Sequence, residues 1–150
     1  MNQETKLLVK FDSGDANSQE LVEWAIQKIQ NGFESMNLNE LAWQDNPPNI
    51  EARELFINSI EDLSLTIPSR SERQIILAKT LATKIVEGKL DANDGCSKIA
   101  EISRELDSPG NLSIFELLSH EQYDHEDLGI TAENIKPSIL EEAKKLAGKI

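Results

Sequence analysis

The chain has 150 residues, 39% of them hydrophobic and 28% charged, with a formal net charge of −12; this balance predicts one helical domain over residues 1–150 and excludes a disordered chain. The acidity sets it against nucleic acid and anionic membranes, which are bound through clustered Lys and Arg, and no stretch approaches the ~18 consecutive apolar residues of a membrane span. A lone cysteine, Cys96, rules out an intramolecular disulfide, and "MNQETKLLVKFDSG" lacks the apolar run and small-residue cleavage site of a signal peptide, so a cytoplasmic setting is expected.

Leucine and isoleucine supply most of the apolar content while valine appears three times, which leans towards helix. Residues 6–11, "KLLVKF", fit either a short helix or an extended segment, so residues 1–17 read as a candidate for a loosely packed N-terminal arm. Ser18 is placed to cap a helix running to Asn31, with Gly32 just past its end. Leu21, Val22, Trp24, Ala25, Ile26 and Ile29 cover one broad face of that helix. "NLNELAW" (37–43) predicts a short helix and "QDNPPN" (44–49) a rigid turn. From Ile50 to Leu63 the pattern is cleanly amphipathic. Ala52, Leu55, Phe56, Ile57, Ile60 and Leu63 lie on one side, with Glu51, Glu54, Asn58, Glu61 and Asp62 on the other.

In "TIPSRSERQ", Ser69-x-x-Glu72 has the spacing of a capping box and opens the strongest helix, which continues to Gly88. Its stripe is Ile75, Ala78, Leu81, Ala82, Ile85 and Val86. Ile76 falls instead among Lys79, Thr80, Thr83 and Glu87, which marks it as a candidate contact for a covering segment or a partner. A further helix spans Ala92 to about Leu106 and is broken by "DSPGN". "SIFELLSHEQY" (113–123) follows, with Ile114, Phe115, Leu117 and Leu118 facing inward. "DHEDLGITAENIK" reads as an irregular acidic connection. Pro137 suits the first position of a closing helix in which Glu141 and Lys145 form an i, i+4 pair. The fold expected is all-α, a compact orthogonal or bundle-like array of six or seven short helices.

"KLDANDGCSKIAE" (89–101) suggests a calcium loop, which needs oxygen ligands at positions 1, 3 and 5, glycine at 6 and glutamate at 12. Counting from Asp91 places Gly95 at 5, Cys96 at 6 and Ile102 at 12. Moving Gly95 to position 6 puts Glu101 at 12 but leaves Leu90 and Ala92 at 1 and 3. Neither frame closes a cation site. As a helix start every residue has a use: Asp91 caps, Asp94 adds charge to the first turn, and Gly95 on the packing face lets another helix approach. Cys96 then sits at the core margin, where a free cysteine is inert.

His120 and His125 in "HEQYDHED" are five residues apart rather than the four of a zincin helix, although a chain break near Tyr123 would let His120, Asp124 and His125 surround one ion. No Walker loop, GxSxG elbow or GxGxxG is present. Trp24 and Trp43 are expected as core anchors, and Arg70 and Arg73 as surface charge.

"LVEWAIQKIQNGFESMNLNELA" and "KIVEGKLDANDGCSKIAEI" resemble a group of small bacterial helical proteins without an assigned activity. The matching positions are Trp24-Ala25, Gly32, Leu38, Leu41-Ala42, Gly88 and Gly95. Ala92-Asn93 departs from the proline that often follows "GKLD" in that group. All of these are packing and turn positions, so the resemblance implies a bacterial all-helical fold and supplies no catalytic residue.

Between residues 101 and 130 there are eight acids and one base, Arg104. An acidic surface centred on Glu116, Glu121, Asp124, Glu126 and Asp127 points to a non-enzymatic interaction module for a basic protein, an immunity-type inhibitor of a cationic toxin being one concrete version. No cofactor or catalytic residue is expected on that reading. The alternative is a small metal-binding regulator or enzyme using His120, Asp124 and His125.

Overall fold

A computed structural model describes residues 2–124 and 131–148. Among them there are eight helices and no strand, so the all-α expectation holds while the count of six or seven is corrected. The added helix is α1 (Gln3–Asp12), the first of the two alternatives for residues 6–11. It forms because Asn2 caps it, accepting the Thr5 N–H at 2.8 Å, and because it places Leu8 and Val9 in the core.

The helices gather into two compact units, Met1–Ser69 and Arg70–Ile150. In the first, α1 is followed by α2 (Ser18–Gln30), α3 (Met36–Ala42) and α4 (Asn49–Asp62). The core joins Leu8, Leu21, Val22, Trp24, Leu38, Leu41, Ala52, Phe56 and Ile60. Trp24 is its anchor: only 1% exposed, it meets Phe56 edge-on with ring centroids 4.7 Å apart. Its indole N–H donates to Glu4 Oε1 at 3.1 Å, and the same oxygen receives the Lys28 ammonium at 2.9 Å. A buried carboxylate thus ties α1 to α2 through one oxygen that both donors share.

The second unit contains α5 (Arg70–Val86), α6 (Ala92–Glu105), α7 (Ser113–Asp124) and α8 (Ala132–Ala147). Ala78, Leu81, Ala82 and Ile85 from α5 meet Cys96, Ile99 and Ile102 from α6, with Phe115, Leu118, Ile135, Ile139 and Leu146 completing the cluster. Burying each large aliphatic or aromatic side chain of such a set is worth about 1.5–3 kcal/mol.

Several helix ends follow one pattern. After α2, Gly32 takes a φ of +93°, its N–H bonds the Ile29 carbonyl at 3.0 Å and the Phe33 N–H reaches back to Lys28 at 3.0 Å, which is the Schellman pattern. Two other helices end the same way without glycine. Ser64 (φ +53°) follows α4 and Asp107 (φ +58°) follows α6, both in the left-handed region that costs a side-chain-bearing residue about 1–2 kcal/mol.

Several local expectations are corrected. The cap of α2 is Asn17, not Ser18, because Asn17 and Glu20 exchange both hydrogen bonds of a capping box. Helix α8 begins at Ala132, capped by Thr131, so Pro137 lies inside it; lacking an N–H, it cannot donate to the Glu133 carbonyl one turn back. Lys145 pairs with Glu142 at 3.2 Å, three residues back, where Glu141 was expected. Leu117 is 52% exposed rather than inward-facing, because Ile114, Phe115 and Leu118 already fill the core side of α7. Trp43 is not a core anchor: it is 87% exposed.

Candidate functional site

At the start of α6 the residues that suggested calcium are occupied by folding. Asp91 accepts the Asp94 N–H at 3.1 Å and lies 3.3 Å from the Lys136 ammonium. The Asp94 N–H first, with Lys136 behind it, holds the Asp91 carboxyl below its ordinary range. Asn93 is buried and donates to the Ala132 carbonyl at 2.9 Å, which ties α6 to the first turn of α8. Lys136 in turn sits 3.1 Å from Glu133. Gly95 faces α5, where a Cβ would fall 2.5 Å from Ile85 Cδ1. The absence of a side chain is what lets α5 and α6 approach there.

Cys96 is fully buried, with its thiol 3.4 Å from the Phe115 carbonyl. Burial pushes the thiol pKa up to about 12, so it stays protonated at neutral pH and lacks the thiolate that nucleophilic chemistry requires.

Of the five acids expected to form an acidic surface, the side chains of Glu116 and Glu121 are described. Glu116 is half-buried and receives the Ser103 hydroxyl at 2.7 Å, with the Arg104 guanidinium 3.8 Å away. The Ser103 and Ser108 hydroxyls, then Arg104, keep its carboxyl below the usual glutamate range. Glu116 therefore serves the α6–α7 contact. Glu121 is half-buried on the same helix, but five residues on it points about 140° away from Glu116. The backbone of Asp124 ends α7. His125, Glu126 and Asp127 lie outside the described residues, as does the Asp124 side chain. His120 is exposed. Among the described residues no three His, Cys, Asp or Glu side chains converge on a cation position.

Ile76, the candidate partner contact on α5, is half-buried, and its carbonyl accepts the Thr80 hydroxyl at 2.9 Å. Arg70 is exposed and stands 3.9 Å from Glu105. No described helix is long and apolar enough to cross a membrane.

A surface that the sequence reading missed lies on α3. Leu38 and Leu41 are buried on one side of this helix, while Met36 and Trp43 are 88% and 87% exposed on the other. The signal was available. Met36, Glu40 and Trp43 stand at i, i+4 and i+7, roughly opposite Leu38 around the helix. A seven-residue helix capped by Trp43 buries one stripe, and Met36 and Trp43 fall outside it.

No family model matches the chain, and no curated protein or solved structure is significantly similar to it.

Proposed function

We propose that this chain is a non-enzymatic acidic interaction module of the cytoplasm that captures a basic protein partner, in the manner of an immunity-type inhibitor. The observation that carries this reading is the excess of acids over bases, many of those acids being exposed. Acids outnumber bases 27 to 15, and Lys10, Lys28, Arg53, Arg104, Lys136 and Lys145 are each held by a carboxylate of the same chain. What remains outward is a surplus of carboxylates, such as the exposed Glu51, Glu54, Glu61 and Asp62 along α4. A field of one sign steers a partner of the other and discriminates against acidic competitors.

The test is capture of basic proteins on the immobilised chain as ionic strength is raised. Retention at low salt that falls steeply over the range where the Debye length shrinks from ~30 Å to ~8 Å supports the reading. Absence of retention at the lowest salt, or retention indifferent to salt, refutes it.

A further inference from the structure

The outward face of α3 is exposed. Leu38 and Leu41 are the residues this helix gives to the core. Met36 and Trp43, seven residues apart and within about 20° of each other around the helix, give their apolar surface to solvent. Ile50, at the start of α4, is 82% exposed. Tryptophan is among the most buried side chains on average, and at protein interfaces it is among those that contribute most to binding. A large exposed apolar group of this kind marks a contact surface more often than a scattered aliphatic does.

The charges around it select the occupant. Between residues 33 and 63 there are seven acids and one base. That base, Arg53, is already engaged by Asp12. Glu34, Glu40, Asp45, Glu51 and Glu54 are all exposed, and Glu40 stands between Met36 and Trp43 on the same face of α3. A second copy of the chain would bring the same carboxylates against these, and an anionic bilayer would be repelled. A segment with one apolar face and flanking Lys or Arg satisfies both features at once. Its apolar anchors would cover Met36, Trp43 and Ile50, and its cations would meet the carboxylates around them.

We infer that the outward face of α3, with Ile50 beside the following turn, docks a lysine- or arginine-rich amphipathic segment of a partner protein. The inference rests on the basic-partner reading above and assigns the docking to α3 rather than to the acids of α7.

The probe is a synthetic helix-forming peptide of leucine and lysine with one apolar face, alongside a lysine–glycine peptide of equal charge and no apolar face. Binding is followed by calorimetry and by tryptophan emission at low salt. The expected result is that the amphipathic peptide binds the wild-type chain and shifts its emission to the blue. Trp43→Ala abolishes that shift and weakens binding at least tenfold, Met36→Ala weakens it several-fold, and Glu121→Gln leaves it within twofold. All three positions are away from the cores, and circular dichroism checks that the variants fold. Wild-type affinity in Trp43→Ala, or equal affinity for the two peptides, overturns the inference. If Glu121→Gln abolishes binding and Trp43→Ala does not, docking on α3 falls while the basic-partner reading stands. If neither peptide binds the wild-type chain, both fall. A doubled solution mass that Trp43→Ala returns to the monomer would show a second copy as the occupant and overturn the assignment.

Discussion

Replacing Gly95 by alanine sets helix propensity against packing, and the structure decides the sign. Alanine in a helix interior is favoured over glycine by about 1 kcal/mol, so on propensity alone Gly95→Ala would stabilise α6. The new methyl, however, would sit 2.5 Å from Ile85 Cδ1, 2.7 Å from Ile85 Cγ1 and 3.0 Å from Leu90 Cδ2, where carbon atoms settle at about 3.5–4.0 Å. Turning χ2 of Ile85 moves Cδ1 but leaves Cγ1 in place. Moving Cγ1 needs a new χ1, and isoleucine in a helix has one strongly preferred χ1 rotamer. Ile85 is also enclosed by the core of its unit, so the remaining response is a shift of α6 away from α5. Overpacking of this kind costs about 1–3 kcal/mol. With the contact on two atoms of a stiff side chain the upper part of that range applies, and the net effect expected is a loss of about 1–2 kcal/mol. For a chain of this size that lowers the melting temperature by about 2–4 °C per kcal/mol. Hydrogen exchange should show the loosening in α5 and α6.

The control is the same substitution in an Ile85→Ala background. That change alone costs about 2–5 kcal/mol but removes the two closest atoms and leaves only the flexible tip of Leu90 at 3.0 Å, so there Gly95→Ala should stabilise by up to about 1 kcal/mol. The reversal of sign is the signature, and thermal melts of the four proteins measure it. If Gly95→Ala raises the melting temperature of the otherwise wild-type chain, the close-approach account of Gly95 is wrong.

Glu4→Gln should destabilise the first unit by about 1–3 kcal/mol, measured by denaturant unfolding, because it removes a charge-assisted acceptor from Lys28 and the Trp24 indole. Burial pushes the Glu4 carboxyl up, but Lys28, the backbone N–H and Trp24 outweigh it and hold it below its ordinary range; its contribution is therefore present above the unfolded-state pKa and lost as pH falls through the lower folded value, which melts between pH 7 and pH 3 on wild type and Glu4→Gln will show as a narrowing difference. Cys96 should resist a water-soluble disulfide reagent at pH 8 in the native protein and react promptly in denaturant; rapid native labelling would contradict its burial. Ser64→Gly should stabilise by about 0.5–1 kcal/mol in denaturant unfolding, since relief of the left-handed strain exceeds the entropic cost of glycine.

Much of the candidate chemistry could be judged from the chain alone, and the reasons are local. The calcium reading of 89–101 fails on ligand spacing, and the same residues cap and pack a helix, as Asp91 and Gly95 do. The inward stripe of α6 is legible because a 3.6-residue period constrains which side chains can share a face. The surface was harder. Glu116 looked like a free acid because Ser103, its hydroxyl donor, lies on a different helix. Trp43 looked like a core residue because size and polarity argue for burial, while its exposure depends on Leu38 and Leu41 having already taken the inward side of α3.

The helical identity of α2 to α7, the amphipathic faces of α4 and α6 and the negative character of the exterior were determined by the sequence, since each follows from the order of side chains over a turn or two or from their sum. The gathering of the helices into two compact units, the pinning of α1 by Glu4 and Lys28, the start of α8 ahead of Pro137 and the exposure of Met36, Trp43 and Ile50 were decided only in the tertiary structure. The physical reason is competition. A core accepts a limited volume of apolar side chain, and which residues are admitted depends on neighbours that are distant along the chain.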